Sequence, residues 1–192
     1  MKVFGLTGGV GMGKSAAEQW LRQHAIPVLD SDLLARQIVE PGSPALLEIQ
    51  RAFGSRFIDP NGRLKREELA ATVFSNPSAR QTLEHITHPR IRELWLKQLA
   101  DWDAQGCALG VLAIPLLFET GAEAALDDTV CVACSPATQL QRLLARGWSA
   151  NEIALRNAAQ WPIDQKMAKA GFVVWNEGGL DVLGAQLARI FC

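Results

Sequence analysis

An excess of charge of either sign is the first thing missing from this chain: 19 Lys and Arg stand against 20 Asp and Glu, a formal net charge of −1. Such balance leaves no general field to gather DNA, RNA or an anionic membrane surface, so any bound anion must be held by a local site. Long apolar runs are missing too. The longest, Ala108 to Phe118, has 11 residues and contains Pro115, too short to span a bilayer. Cysteine is scarce, and Cys107, Cys131, Cys134 and Cys192 do not make a disulfide framework in a chain of 192 residues. Cys131 and Cys134 form a C-x-x-C inside the apolar run Thr129–Cys134, where residues three apart point to opposite faces of a strand. They read as small buried residues rather than a metal pair. Tyrosine is absent, which excludes no function, and there are no repeats or low-complexity segments. The amino terminus enters an apolar run at once and reaches Lys14 too soon for a signal peptide. The expected location is therefore cytoplasmic.

What is present begins at Gly8. Residues Gly8 to Ser15 read Gly-Gly-Val-Gly-Met-Gly-Lys-Ser, a full G-x-x-x-x-G-K-S, directly after the apolar run Val3–Thr7 and before a helical pattern from Ala16. A strand feeding a glycine-rich turn that opens a helix can wrap backbone N–H groups around a polyphosphate. Gly8, Gly11 and Gly13 allow the close approach, Lys14 can reach β- and γ-phosphates, and the Ser15 hydroxyl can coordinate Mg²⁺. The expected ligand is a nucleoside triphosphate.

Apolar runs at about Val3–Thr7, Pro27–Asp30, Leu109–Ile114, Thr129–Cys134 and Phe172–Trp175, separated by helical periodicity, predict a parallel α/β sheet covered on both faces. The long gap between the second and third runs carries helix signals instead. Pro41-Gly42-Ser43-Pro44 ends one helix and starts another, and Asp59-Pro60-Asn61-Gly62 is a turn. Asn76-Pro77 opens a helix over Ser78–Ile86. Pro89 is expected to interrupt it before a second helix from about Arg90 to Ala104. Ser135-Pro136 caps a helix with Gln139, Arg142 and Arg146, Gly147 stops it, and the capping box Ser149–Glu152 opens another reaching about Gln160. A final helix runs over about Leu180–Ile190. The first block suggests a lobe over the strand ends, the second a lid.

Asp30-Ser31-Asp32 sits at the end of the second run, with its two acids on one side of the chain. One carboxylate can take a proton from an attacking hydroxyl and the other can hold Mg²⁺ through water; alternatively, Asp32 simply caps the next helix. Arg36 shares that helix face. Arg63, Lys65, Arg66, Arg90 and Arg92 can hold a phosphate-bearing second ligand or be solvated surface charges. Arg142, Arg146 and Arg156 can close over a triphosphate, Arg142 first by position. His85-Ile86-Thr87-His88 mimics a metal pair, but His88-Pro89 reads better as a helix break. A guanine-nucleotide switch would need N-K-x-D, which is absent, and its D-x-x-G matches at Asp59 and Asp103 read as plain turns. A motor would end its third strand with an acid, where this chain has Ile114-Pro115. A small kinase remains, with another small-molecule kinase or a non-catalytic nucleotide-binding switch as alternatives.

Together these segments resemble the dephospho-CoA kinase family along the whole chain. The resemblance rests on Leu6–Ser15, Asp30-Ser31-Asp32 with Ala35-Arg36, Pro41-Gly42, Phe53-Gly54, Asn61-Gly62, Arg66 and Leu69. It continues through Leu83-Glu84, His88-Pro89-Arg90-Ile91, Pro115-Leu116-Leu117-Phe118-Glu119, Gln139, Arg142, Arg146, Gln160 and Asn176. It implies an α/β, three-layer P-loop kinase with a five-stranded parallel sheet, a helical substrate-binding insertion and a helical lid. The implied core is residues 1–30, 105–135 and 170–192, the CoA-binding lobe 31–104 and the lid 136–169. It implies ATP and Mg²⁺, transfer of the γ-phosphate to the ribose 3′-hydroxyl of dephospho-CoA, no nucleic-acid or membrane partner, and a monomer or small homo-oligomer. Gly8, Gly9, Gly11, Met12, Gly13, Lys14, Ser15 and Ala16 would enclose the phosphates, with Arg146 and Asn176 also on the nucleotide. Ser15 would hold the metal. Lys14, Asp32 and Arg142 would be catalytic, with Asp32 the base. Asp32, Arg36, Arg66, His88, Pro115, Leu116 and Glu119 would line the acceptor side. The chain departs from the family pattern at Ala16, where Thr is common and contacts the α-phosphate side, and at Lys65, Gly147 and Ala170-Gly171. Those last three touch lid or periphery and bear on rate and stability.

Overall fold

The apolar runs become one five-stranded parallel sheet of β1 (Lys2–Gly8), β2 (Val28–Asp30), β3 (Leu109–Ala113), β4 (Asp128–Ala133) and β5 (Phe172–Trp175), in the order β2-β3-β1-β4-β5. The structure is a computed structural model describing residues 1–74 and 76–192, and the chain divides into two units: Met1–Leu29 with Trp102–Cys192, and Asp30–Asp101. In the central strand Leu6 lies in register with Ala113 on one side and Val130 on the other. All three are fully buried, which is why these strands read as continuous apolar runs rather than alternating ones. One difference from the sequence reading is small and physical. Pro27 lies outside β2 because it has no N–H to give, yet its carbonyl still accepts from Val111 N at 2.8 Å.

Helices α1 (Lys14–Gln23) and α9 (Leu180–Phe191) bury Ala17, Leu21, Leu183 and Leu187 against the sheet core around Phe4, Val111 and Val174. The carboxyl-terminal Phe191 meets Phe4 edge-on at 5.1 Å. Elsewhere in this unit lie α6 (Pro136–Ala145), α7 (Ala150–Ala158) and α8 (Ile163–Lys169). Ile163 and Met167 of α8 pack on Met12, Ala133 and Cys134. The sequence reading placed no helix at α8, whose seven residues are too few to show an apolar period.

The second unit has its own core of Ile38, Val39, Ala45, Leu46, Ile49, Phe57, Leu69 and Val73. Its helices are α2 (Ser31–Gln37), α3 (Pro44–Phe53), α4 (Arg66–Phe74) and most of α5 (Pro77–Ala104). Ser43 caps α3 at Leu46 N and Asn76 caps α5 at Ala79 N. The expected break at Pro89 does not occur: α5 is one helix of 28 residues with Pro89 inside it. Pro89 removes one N–H and crowds the preceding turn. Nearby side chains reach back to carbonyls there, Thr87 Oγ1 donating to Leu83 O at 2.8 Å and Arg90 Nη1 to Ile86 O at 2.6 Å. Leu83 and Ile86 before the proline, and Ile91 and Leu94 after it, pack on the same core, so tertiary burial outweighs the local penalty. Among the described residues no helix is long and apolar enough to cross a membrane.

Candidate active site

The loop between β1 and α1 is shaped by what happens to its carbonyls. Gln139 Nε2 donates to Val10 O at 2.7 Å, and Asn176 Nδ2 donates to Met12 O at 2.9 Å. A trans peptide holds its C=O and N–H on opposite sides, and no cis bond occurs among the described residues. Pulling these two carbonyls outward therefore turns the Gly11 and Gly13 N–H groups the other way, into the hollow of the loop. Helix α1 starts at Lys14, so the Lys14 and Ser15 N–H groups have no partner within the helix and face the same hollow with the dipole behind them, while Ala16 N donates to Gly13 O at 3.0 Å. This is an anion cradle made of backbone.

Two glycines are needed for that shape. Gly11 has φ +73, and a Cβ there would lie 2.7 Å from buried Leu143 Cγ. Gly13 has φ +108, and a Cβ there would lie 1.9 Å from Asn176 Nδ2, displacing the amide that holds Met12 O. Gly13→Ala should weaken ADP binding by about tenfold, read by calorimetry, because the Gly13 N–H would lose its orientation.

Asn176 is buried directly after β5, its N–H donating to Ala133 O at the end of β4 at 2.7 Å. Its carbonyl accepts from Arg142 Nη2 at 3.0 Å, while Arg142 Nη1 is buried with no hydrogen-bond partner. Arg142 is thus fastened beside the loop with one nitrogen still able to donate. Arg146 caps the end of α6 and is exposed. Next to Asn176, Glu177 accepts from Thr138 Oγ1 at 2.6 Å and from Ser135 N, and these bonds hold its carboxyl below the usual range. Burial pushes the Cys131 thiol up to about 11 and raises Cys134, so both are inert packing residues as the sequence suggested.

Lys14 Nζ lies 2.7 Å from Glu18 Oε1, one turn along α1, and Glu18 Oε2 lies 3.6 Å from Arg22 Nη2. Ser15 is exposed in the first turn, where a hydroxyl oxygen suits a hard cation such as Mg²⁺. Ala16 packs partly into the sheet core.

In the segment after β3, Leu117 and Phe118 are buried in the core, leaving Pro115, Leu116 and Glu119 partly open. Pro115 O accepts from Thr7 Oγ1 at 3.1 Å and from Lys166 Nζ at 2.7 Å. Glu119 Oε1 is 2.8 Å from Lys166 Nζ and accepts from Trp161 N at 2.8 Å, while Glu119 Oε2 is buried without a hydrogen-bond partner. Lys166 is fully buried. Sequence reading missed it, since a lysine in a short polar stretch reads as surface. The available signal was modest: Pro162, Asp164 in a first turn, and Lys166 and Lys169 in a last turn.

In the second unit the two acids are placed differently. The expectation that Asp32 could be the helix cap is corrected: Asp30 is the cap, its Oδ1 accepting Asp32 N at 2.9 Å, and Asp32 lies inside α2. The helix begins at Ser31, so the strand alternation expected to put both acids on one side of the chain does not extend to Asp32. Asp32 and Arg36 are exposed on α2. Arg66 Nη2 donates to Arg36 O at 3.0 Å, which brings those two arginines together. His88 is exposed in the middle of α5, one residue before Pro89. Asp59 Oδ1 accepts from Asn61 N and Arg63 N, and Gly106 N donates to Asp103 O, so these two D-x-x-G segments are turns, while a third, Asp181–Gly184, lies inside α9. No group of three or more metal-ligating side chains occurs among the described residues.

The family model described as dephospho-CoA kinase matches residues 2–181. A dephospho-CoA kinase from Anaeromyxobacter dehalogenans is 46% identical over 191 residues, covering 99% of this chain and 90% of that one. The dephospho-CoA kinase from Bdellovibrio bacteriovorus is 42% identical over 190 residues, covering 99% and 94%. Among solved structures, TT1252 from Thermus thermophilus superposes with a TM-score of 0.87 at 37% identity, covering 98% of this chain and 95% of that one. Dephospho-CoA kinase from Campylobacter jejuni gives 0.73 at 26% identity, covering 99% and 96%. With a backbone cradle for phosphates and matches that run end to end, this chain belongs to the dephospho-CoA kinase family.

Proposed function

We propose that the chain transfers the γ-phosphate of ATP to the ribose 3′-hydroxyl of dephospho-CoA, giving ADP and coenzyme A in the last step of coenzyme A synthesis. The observation that carries this reading is the loop whose Val10 and Met12 carbonyls are drawn outward by Gln139 and Asn176, in a member of this kinase family. Phosphoryl transfer needs little covalent help from the protein. Positioning and charge stabilisation do most of it.

The Gly11 and Gly13 N–H groups and the first turn of α1 bind the β- and γ-phosphates, and Lys14 meets their negative charge. Arg142, fastened to Asn176 O and with its Nη1 unpaired, adds a second positive group for the triphosphate. Mg²⁺ on the Ser15 hydroxyl supplies neutralisation of phosphate oxygens when bound. Asp32 takes the proton from the acceptor hydroxyl. By the family resemblance, Arg36, Arg66 and His88 hold the acceptor's own phosphates, and Pro115, Leu116 and Glu119 are further acceptor-binding residues. Of the proposed lid, α6 is tied to the loop through Gln139 and Arg142, and α8 is tied to Glu119 through Lys166. The helix α7 is joined to α6 in turn, Gln139 Nε2 donating to Asn157 Oδ1 at 3.0 Å, and Arg156 beside it stacks 4.3 Å over Trp148.

Incubation with Mg-ATP and a panel of acceptors, following ADP, tests the reading. ADP formation that depends on dephospho-CoA supports it; dependence on another alcohol makes the chain a different small-molecule kinase. Tight nucleotide retention without turnover makes it a switch. Asp32→Asn should lower kcat by about 10²-fold with ATP affinity unchanged, since general-base help of this kind is worth that much. Near-normal turnover removes Asp32 from the role.

A further inference from the structure

Lys14 is paired with a carboxylate that nothing in the phosphate-transfer scheme uses. Lys14 and Glu18 have side chains only 14% and 10% exposed, with Nζ 2.7 Å from Oε1. The order of the pair, base before acid at i,i+4, is the weaker one for supporting a helix, so helix stability is a poor reason for it. Its consequence for the ligand is direct. A side chain on a helix leans toward the amino terminus, which for Lys14 is the loop where the phosphates bind. Instead its ammonium lies against Glu18, one turn toward the carboxyl end.

We infer that Glu18 is a positioning residue that competes with the nucleotide for Lys14 and so sets nucleotide affinity. Phosphate binding is then an exchange: the Lys14–Glu18 pair opens, Lys14 pairs with phosphate, and Glu18 closes onto Arg22, now 3.6 Å away. Arg22 lowers the cost of that exchange by receiving the released carboxylate. The inference rests on Lys14 binding phosphate, but not on the identity of the acceptor or on Asp32.

The test measures Kd by calorimetry for ADP and for AMP, which lacks the β-phosphate that Lys14 would meet. Glu18→Gln keeps the shape and removes the competing charge. It should bind ADP about threefold to tenfold more tightly and AMP within about twofold of the parent, with KM for ATP falling alongside. Arg22→Gln should move ADP affinity the other way, because Glu18 is left with Lys14 as its only ionic partner. Unchanged or weaker ADP binding in Glu18→Gln overturns the inference, as does equal tightening of ADP and AMP. Should Glu18→Gln fail to fold, Arg22→Gln decides alone: ADP binding no weaker than the parent's overturns it. Failure of the parent chain to bind ADP would instead sink the nucleotide-site reading itself.

Discussion

Lys14→Ala should lower kcat/KM by about 10³-fold, whereas Lys65→Ala should stay within about twofold of the parent. Both are lysines on the same small protein, so net charge changes equally and only position differs. Lys14 opens α1 directly behind the backbone cradle, where its charge acts beside preorganised N–H groups. Lys65 sits half-exposed at 3.3 Å from exposed Glu68, an ion pair of the kind that contributes little. The Lys14 variant has a second effect that separates binding from folding. It leaves nearly buried Glu18 with Arg22 alone at 3.6 Å, a loss of about 1–3 kcal/mol in stability. Adding Glu18→Gln should restore the melting temperature without restoring turnover. A double variant that regained activity would show that Lys14 serves the fold rather than the phosphates. Equal losses at positions 14 and 65 would mean the phosphate site lies elsewhere.

The loop was legible in the sequence because its chemistry is local. The shape of the turn at Gly11 and Gly13 and the start of α1 at Lys14 are set by backbone conformation and near neighbours, so a short pattern carries them. The strands were legible because burial on both faces makes each one a short apolar run. Caps at Ser43, Asn76, Ser135 and Ser149 were also readable, being side chains that bond two or three residues ahead. What failed depends on partners far along the chain. Pro89 reads as a breaker until Leu83, Ile86, Ile91 and Leu94 are seen on one core. Gln139 and Asn176 shape the loop from 129 and 164 residues away, and no spacing rule encodes that. The cap is Asp30 rather than Asp32 because helix α2 begins at Ser31, a boundary that the sequence leaves uncertain by a residue or two.

Lys166→Met should cost about 3–5 kcal/mol of stability, lowering the melting temperature on the order of 10 °C for a domain of this size. The lysine itself is not what makes the loss large. Removing it strands Glu119, whose Oε1 keeps only Trp161 N and whose Oε2 already has no hydrogen-bond partner. It also strips Pro115 O of one of its two donors, leaving Thr7 Oγ1. A buried charge without its counter-ion costs more than the pair ever contributed. The double variant Lys166→Met with Glu119→Gln should therefore be more stable than Lys166→Met alone, because the uncompensated charge is gone. Lys169 gives the contrast. It also pairs with an acid, Glu123, but is 42% exposed, so Lys169→Met should change stability by less than about 1 kcal/mol. Calorimetric melting of the four proteins decides it. A Lys166→Met melting point close to that of Lys169→Met would mean that the buried ammonium is dispensable, and that α8 is held to Pro115 and Glu119 by packing alone.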